Sequence, residues 1–302
     1  MTATVNTMAA LLIANAPEYT KGLISIAGGS FPEFGGLQAK TISGTKLSVR
    51  CRTNRPKGGF RAIGGAVSGG VELSNIELKE YALKIFDASF DLETAYVNQY
   101  ADGIDACLAE EMAAHIEGTT EALCDTLWNG GNGDSFPALS TLIAEGNIVD
   151  AKGDAAGAVT SVYLVCDEGP DGFSWVLGRN GKVEGSEPYK TKAANGNSAY
   201  RTDLEAYVGW QLPNARKAVR ICNVDPVDSA TGISDDLIGQ AMAKLPTGAK
   251  AKIVMHPVIR EQLRKSRTAT NATGAPAALP VESLGMPIMV SDAISLTETV
   301  VA

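Results

Sequence analysis

The chain predicts an α+β fold, and three stretches carry that prediction. Between about Thr94 and Trp128, the residues Val97, Tyr100, Ile104, Leu108, Met112, Ile116, Leu123 and Leu127 recur at intervals of mostly three or four. That is the spacing of one apolar helix face. Val159 to Cys166 reads as a buried strand, and Thr45 to Arg52 alternates polar and apolar residues at the period of a strand.

Composition bounds what such a fold can be. At 302 residues the chain holds one large domain or two ordinary ones. Apolar residues make up 45% and charged residues 20%, the balance of a globular protein. Its 32 glycines point to many turns. A net charge of −8 argues against a general nucleic-acid binder, which needs a basic face, but not against a protein that encloses DNA without gripping it. Cys51, Cys107, Cys124, Cys166 and Cys222 form no CxxC, so neither a zinc site nor a disulfide framework is expected. They read as small buried hydrophobes in a reducing compartment. The apolar run Met8 to Ile13 is too short for a signal peptide and lacks a basic flank. No run approaches the ~18 apolar residues of a membrane span. The expectation is a protein made and used in a cytosol.

Taken in chain order, residues 1–38 are small, Gly-rich and weakly periodic, the character of an arm that lies across something else. Residues 39–84 carry strand-like runs separated by Asn54-Arg55-Pro56-Lys57-Gly58-Gly59, a turn signal. They hold too few large apolar residues for a core and read as a long hairpin extended from the body. The helix follows within 85–135 and stops at Asn129-Gly130-Gly131, with Gly103 and Gly118 as candidate bends. From 136 to 302 the pattern is mixed. Two β runs flank Pro213-Asn214 between Tyr200 and Val224. Ser234 is an N-cap ahead of Asp235 and Asp236. Leu237, Ile238, Ala241, Met242 and Leu245 give that helix its apolar face, and Pro246 ends it. Ile253 to Met255 is a strand, His256-Pro257 starts a basic helix, and Arg267 to Pro280 is a surface loop. Leu284-Gly285-Met286-Pro287-Ile288-Met289-Val290-Ser291-Asp292 reads as a turn followed by a short buried strand.

Chemistry is sparse. His115 and His256 lack any metal-ligand or triad frame, and structural roles are expected for both. No GxSxG, GxGxxG or complete P-loop occurs, so no catalytic residue, cofactor site or metal site is assigned. One constellation has physical content. From Glu33 to Glu72 there is no intervening acid, while Lys40, Lys46, Arg50, Arg52, Arg55, Lys57 and Arg61 are basic. From Lys84 to Lys152 there is no intervening base, while Asp102, Asp105, Glu110, Glu111, Glu117 and Glu121 are among the acids. A basic hairpin and an acidic helix are complementary surfaces, and in an assembly the hairpin of one copy could lie along the helix of the next. The alternative is two separately solvated faces.

The order of arm, basic hairpin, long helix, mixed domain, His-Pro helix and Gly-x-Pro strand resembles the major capsid proteins of tailed double-stranded DNA phages, the Hong Kong 97 type. Tyr200 to Leu212, Ala218 to Val224 and Leu284 to Asp292 carry most of the likeness, which is greatest to the short-tailed epsilon15 subgroup. The resemblance implies an N-arm over 1–38, an E-loop over 39–84 and a P-domain with its spine helix over 85–135. The A-domain and returning P-domain strands would fill 136–302. It implies a non-enzymatic, self-assembling icosahedral shell of pentamers and hexamers enclosing DNA in a virion. The shell would be made in the host bacterial cytoplasm with portal and scaffolding proteins and a possible decoration protein. Two alternatives stay open: an encapsulin-like compartment shell, and a cytosolic α+β enzyme whose site is assembled from distant residues.

Overall fold

A computed structural model describes residues 32–57, 59–65, 74–98, 104–131, 133–154, 158–193, 196–269 and 275–301. In chain order the elements begin with helix α1 (Pro32–Gly36) and strands β1 (Ala39–Thr41), β2 (Lys46–Arg52), β3 (Ile76–Ala82), β4 (Lys84–Asp87) and β5 (Phe90–Glu93). Helices α2 (Thr94–Val97) and α3 (Ile104–Asn129) follow, then β6 (Ile148–Asp150), β7 (Thr160–Val165), β8 (Ser174–Leu177) and β9 (Val183–Gly185). Next come β10 (Tyr189–Lys192), β11 (Ser198–Thr202), β12 (Leu204–Gln211) and β13 (Ala218–Val224). The chain closes with α4 (Asp235–Lys244), β14 (Lys252–Met255), α5 (Pro257–Ala269), β15 (Glu282–Ser283) and β16 (Met286–Val290).

The described strands form four sheets. The largest runs β15-β16-β14-β7-β13-β6. Its β7, the strand expected at Val159 to Cys166, is buried at every residue and alternates between two cores. Tyr163 and Val165 face one, and Val162 and Leu164 face the other. Both faces are covered, which is why this strand is apolar throughout rather than alternating. Strand β13 does the same until a bulge at Asn223, whose φ is +55°. The extra residue keeps Val224 on the same face as Val219 and Ile221. That face is closed by α4 and α5 through Ile238, Ala241, Ile259 and Leu263. The other face meets the C-terminal half of α3 and a second sheet, β1-β8-β12-β4 with β9 beside β12, in an aromatic cluster around Trp128, Phe173, Trp175 and Trp210. A small sheet, β10-β11-β5, and the isolated pair β2–β3 complete the molecule.

Several expectations need correction. The long helix is not continuous from Thr94. Helix α2 ends at Val97 after a single turn, and the described part of α3 runs 26 residues from Ile104, about 39 Å. Residues 99–103, with the candidate bend Gly103, lie outside the described residues. The two β runs between Tyr200 and Val224 are three strands, β11, β12 and β13, in three different sheets. Asp203 separates the first two, its backbone N–H taken by the Ser186 hydroxyl and its carboxylate by Arg201 and Tyr189. Met242 is 45% exposed and does not join the apolar face of its helix. Strand β16 is half-buried, with Met286 inside and Pro287 exposed, because only the two-residue β15 lies beyond it in the sheet. Helix α5 extends to Ala269, three residues into the stretch read as loop.

Other features match. Ser234 caps α4, its hydroxyl accepting from the Leu237 N–H at 3.3 Å. Pro257 opens α5. Gly130 takes φ +78° just past α3, the left-handed stop glycine provides. Four of the five cysteines are buried. Residues 32–38, at the end of the stretch read as an arm, are seated in the body: Phe34 stacks on Trp175 with ring centroids 4.5 Å apart. Glu33 is fully buried, accepting hydrogen bonds from Trp128 Nε1 at 2.9 Å and from the Ser291 hydroxyl. Residues 1–31 of that stretch lie outside the described residues.

Candidate functional site

Strands β2 and β3 pair antiparallel over their whole length, from Lys46 beside Ala82 to Arg52 beside Ile76. Directly opposed residues share a face, so the register sorts the hairpin into two surfaces. The inner one carries Leu47 with Tyr81, Val49 with Lys79 and Cys51 with Glu77. It leans on the body, where Lys79 Nζ donates to the Pro213 carbonyl at 3.1 Å. Burial there pushes the Tyr81 phenol up to about 12, with the neighbouring Cys51 thiol adding to it and a hydrogen bond to the Leu212 backbone opposing it. The outer surface carries Lys46, Ser48 with Glu80, Arg50 with Leu78, and Arg52 with Ile76.

Of the basic residues singled out in the sequence, Lys40 is not on this hairpin: it lies on β1, beside Val176 of β8 in the body. The hairpin is therefore shorter than the stretch 39–84 read as one, and the other bases lie on it or beyond its strands. Lys46 pairs with Glu80 on the adjacent strand. Arg50 and Arg52 are exposed on the outer face. Arg55 and Lys57 are exposed past the strand end, and Arg61 donates to the Gly65 carbonyl at 3.1 Å. Among the described residues none of Arg50, Arg52, Arg55, Lys57 and Arg61 is in an ion pair of its own chain.

The acids are arranged on α3. Asp105 occupies its first turn, where the helix dipole favours a negative charge. Glu111 is half-buried, and Glu117 and Glu121 are exposed. None of these four is in an ion pair among the described residues. Asp102 and the side chain of Glu110 lie outside the described residues. Among the described residues, then, a single copy pairs no base of the hairpin with an acid of α3.

What sequence reading missed is the apolar content of the hairpin. Ile76 is 65% exposed and Leu78 54% exposed, side by side with two arginines. Phe60 and Ile63, between the two strands, are exposed as well. Period-two alternation in β3 would have placed Ile76 and Leu78 on one face, but only the pairing register shows that it is the outer one. The histidines have structural surroundings: His115 stacks on Phe90 at 4.4 Å, and His256 Nδ1 accepts from the Val258 N–H at 3.2 Å. Among the described residues no group of three or more His, Cys, Asp or Glu could hold a metal ion, and no helix is long and apolar enough to cross a membrane.

A family model described as major capsid protein GP7 matches residues 40–302. No curated protein matches the chain. Among solved structures, a chain of bacteriophage epsilon15 superposes with a TM-score of 0.66 at 17% identity, over 87% of this chain and 88% of that one. The capsid of bacteriophage JBD30 gives 0.51 at 9% identity over 87% and 91%. The same capsid decorated with minor capsid protein trimers gives 0.52 at 12% over 85% and 89%. At such identities the likeness is one of fold.

Proposed function

Because the chain belongs to the major capsid protein GP7 family, we propose that its basic hairpin and acidic helix are the contacts that build the shell. The protein is a structural, shell-forming component of a phage virion, not an enzyme. Its α+β fold is the Hong Kong 97-like capsid fold. In our reading, copies join as pentamers and hexamers into an icosahedral shell around double-stranded DNA. The hairpin of one copy lies along α3 of the next. The observation that supports this is the absence of an in-chain ion partner for five bases on one element and four acids on the other, among the described residues. Each exposed pair contributes only about 0–1 kcal/mol, so register comes from repetition around the shell. An encapsulin-like compartment would share the fold, but the family description favours the virion.

Portal and scaffolding proteins complete assembly in the host cytoplasm in this reading, and a decoration protein on the outside is in keeping with the JBD30 capsid of similar fold. The net charge of −8 suits a container whose wall must not adhere to phosphate. The test is the triple variant Arg50→Glu, Arg52→Glu, Arg55→Glu. Its subunit is expected to keep the circular dichroism of the parent while electron microscopy finds no closed particles. Particles in normal yield would defeat the proposed contact.

A further inference from the structure

Among the described residues, nothing in its own chain explains Gly118. Glycine is unfavourable within a helix, yet here it stands in the middle of α3. A methyl group built on it would meet no atom of the described residues within 4 Å. Elsewhere in the fold a glycine is demanded by its own neighbours: at Gly209, an added carbon would lie 2.6 Å from Leu83. At Gly118 no described neighbour makes that demand.

A furrow of about 430 Å³ opens beside it, between α3 and the chain joining β4 to β5. Half-buried Phe86 and His115 form its floor, Ala114 and Ala122 continue the low wall, and Asp87 and Glu111 supply carboxylates at the edge. The outer face of the hairpin is the reverse of this shape. Leu78 and Ile76 stand out from it, with Arg50 and Arg52 directly beside them.

We propose that the furrow at Gly118 is the seat for Leu78 and Ile76 of a second copy, with that copy's Arg50 and Arg52 reaching the edge carboxylates. Position 118 is glycine because the neighbour fills the space. This rests on the hairpin-to-helix contact proposed above and adds where it is centred and that its centre is apolar. Burying two large aliphatic side chains outweighs a few solvent-exposed ion pairs, so the charges orient the hairpin and the aliphatics hold it.

Two variants test it in particles of the full chain. With Cys51→Ser as background, Leu78→Cys combined with Ala122→Cys is expected to give a ladder of disulfide-linked multimers on mild oxidation of assembled shells. Neither single cysteine should do so. Gly118→Leu is expected to leave the melting temperature of the unassembled subunit equal or higher while lowering particle yield at least tenfold. No ladder, or normal yield from Gly118→Leu, overturns the seat. If the arginine reversals abolish particles while both of these variants behave as wild type, the hairpin contact stands and the furrow falls.

Discussion

Asp235 opens α4 and accepts three hydrogen bonds from two partners. Its carboxylate receives Arg267 through two bonds of 2.8 and 2.7 Å and the Ser283 hydroxyl at 2.6 Å. The Arg267 pairing, ahead of the opposing effect of burial, holds its proton affinity below the ordinary 3.8. The folded state therefore binds this proton less well than the unfolded one. The stabilisation is complete above the ordinary carboxylate range and is lost as pH falls through the depressed folded value. Asp235→Asn is expected to lower stability by about 1 kcal/mol near neutrality, since the pair is partly exposed. The loss should shrink at about pH 3, as urea midpoints at the two pH values will show. Sequence alone exposed half of this arrangement: Asp235 after a Ser cap was legible, while its partners lie 32 and 48 residues away. Glu33 was not legible at all, because nothing local to a carboxylate shows that two core side chains will donate to it.

At the scale of elements, local chemistry was readable and partnership was not. Ser234, Pro257 and Gly130 announced their helix ends, and β7 announced its burial. The division of Tyr200 to Val224 among three sheets could not be read, because a strand carries no mark of its neighbours. The turn before β16 illustrates both. Gly285 has φ +77°, as its residue type suggests, and Leu284 precedes it at +50°, where a leucine is unexpected. Two residues with positive φ between the paired Ser283 and Met286 give the turn that suits a twisted hairpin. Gly285→Ala should cost about 1–2 kcal/mol, read as a lower melting temperature of the subunit. An unchanged melt would mean that the turn relaxes at no cost.

Across the whole molecule, the C-terminal residues tie separate parts together. Asn129, at the end of α3, accepts from the Ser295 N–H at 3.3 Å, and Thr160 of β7 donates to the Ser295 carbonyl at 2.6 Å. Glu298 pairs with Arg220 of β13 at 2.7 Å, the two side chains only 14% and 13% exposed. Asn223 brackets Val301, donating to its carbonyl and accepting from its N–H, both at 2.8 Å. Glu298→Ala leaves the Arg220 guanidinium largely buried without its carboxylate and is expected to cost about 3 kcal/mol. Replacing both residues with apolar side chains of similar size should recover most of that loss in chemical denaturation. Equal losses for the single and double variants would show that the stranded charge adds nothing and that the pair itself carries the stabilisation. The charge split was legible in the sequence at this scale; the shape that receives it was not, because a furrow exists only once β4 and α3 have been brought side by side.

The pairing of β1 with β8, Ala39 beside Trp175, also bears on how the subunit is made. A ribosome releases the chain from its N-terminus, so Ala39–Thr41 emerges more than a hundred residues before the strand it must join. At roughly 5–20 residues per second, that delay is on the order of 10 s. Throughout it, Phe34 lacks the Trp175 ring it stacks on, and Glu33 lacks Trp128 for much of the interval. Every virion needs many such subunits at once, and each nascent chain carries this unfinished edge until Trp175 arrives.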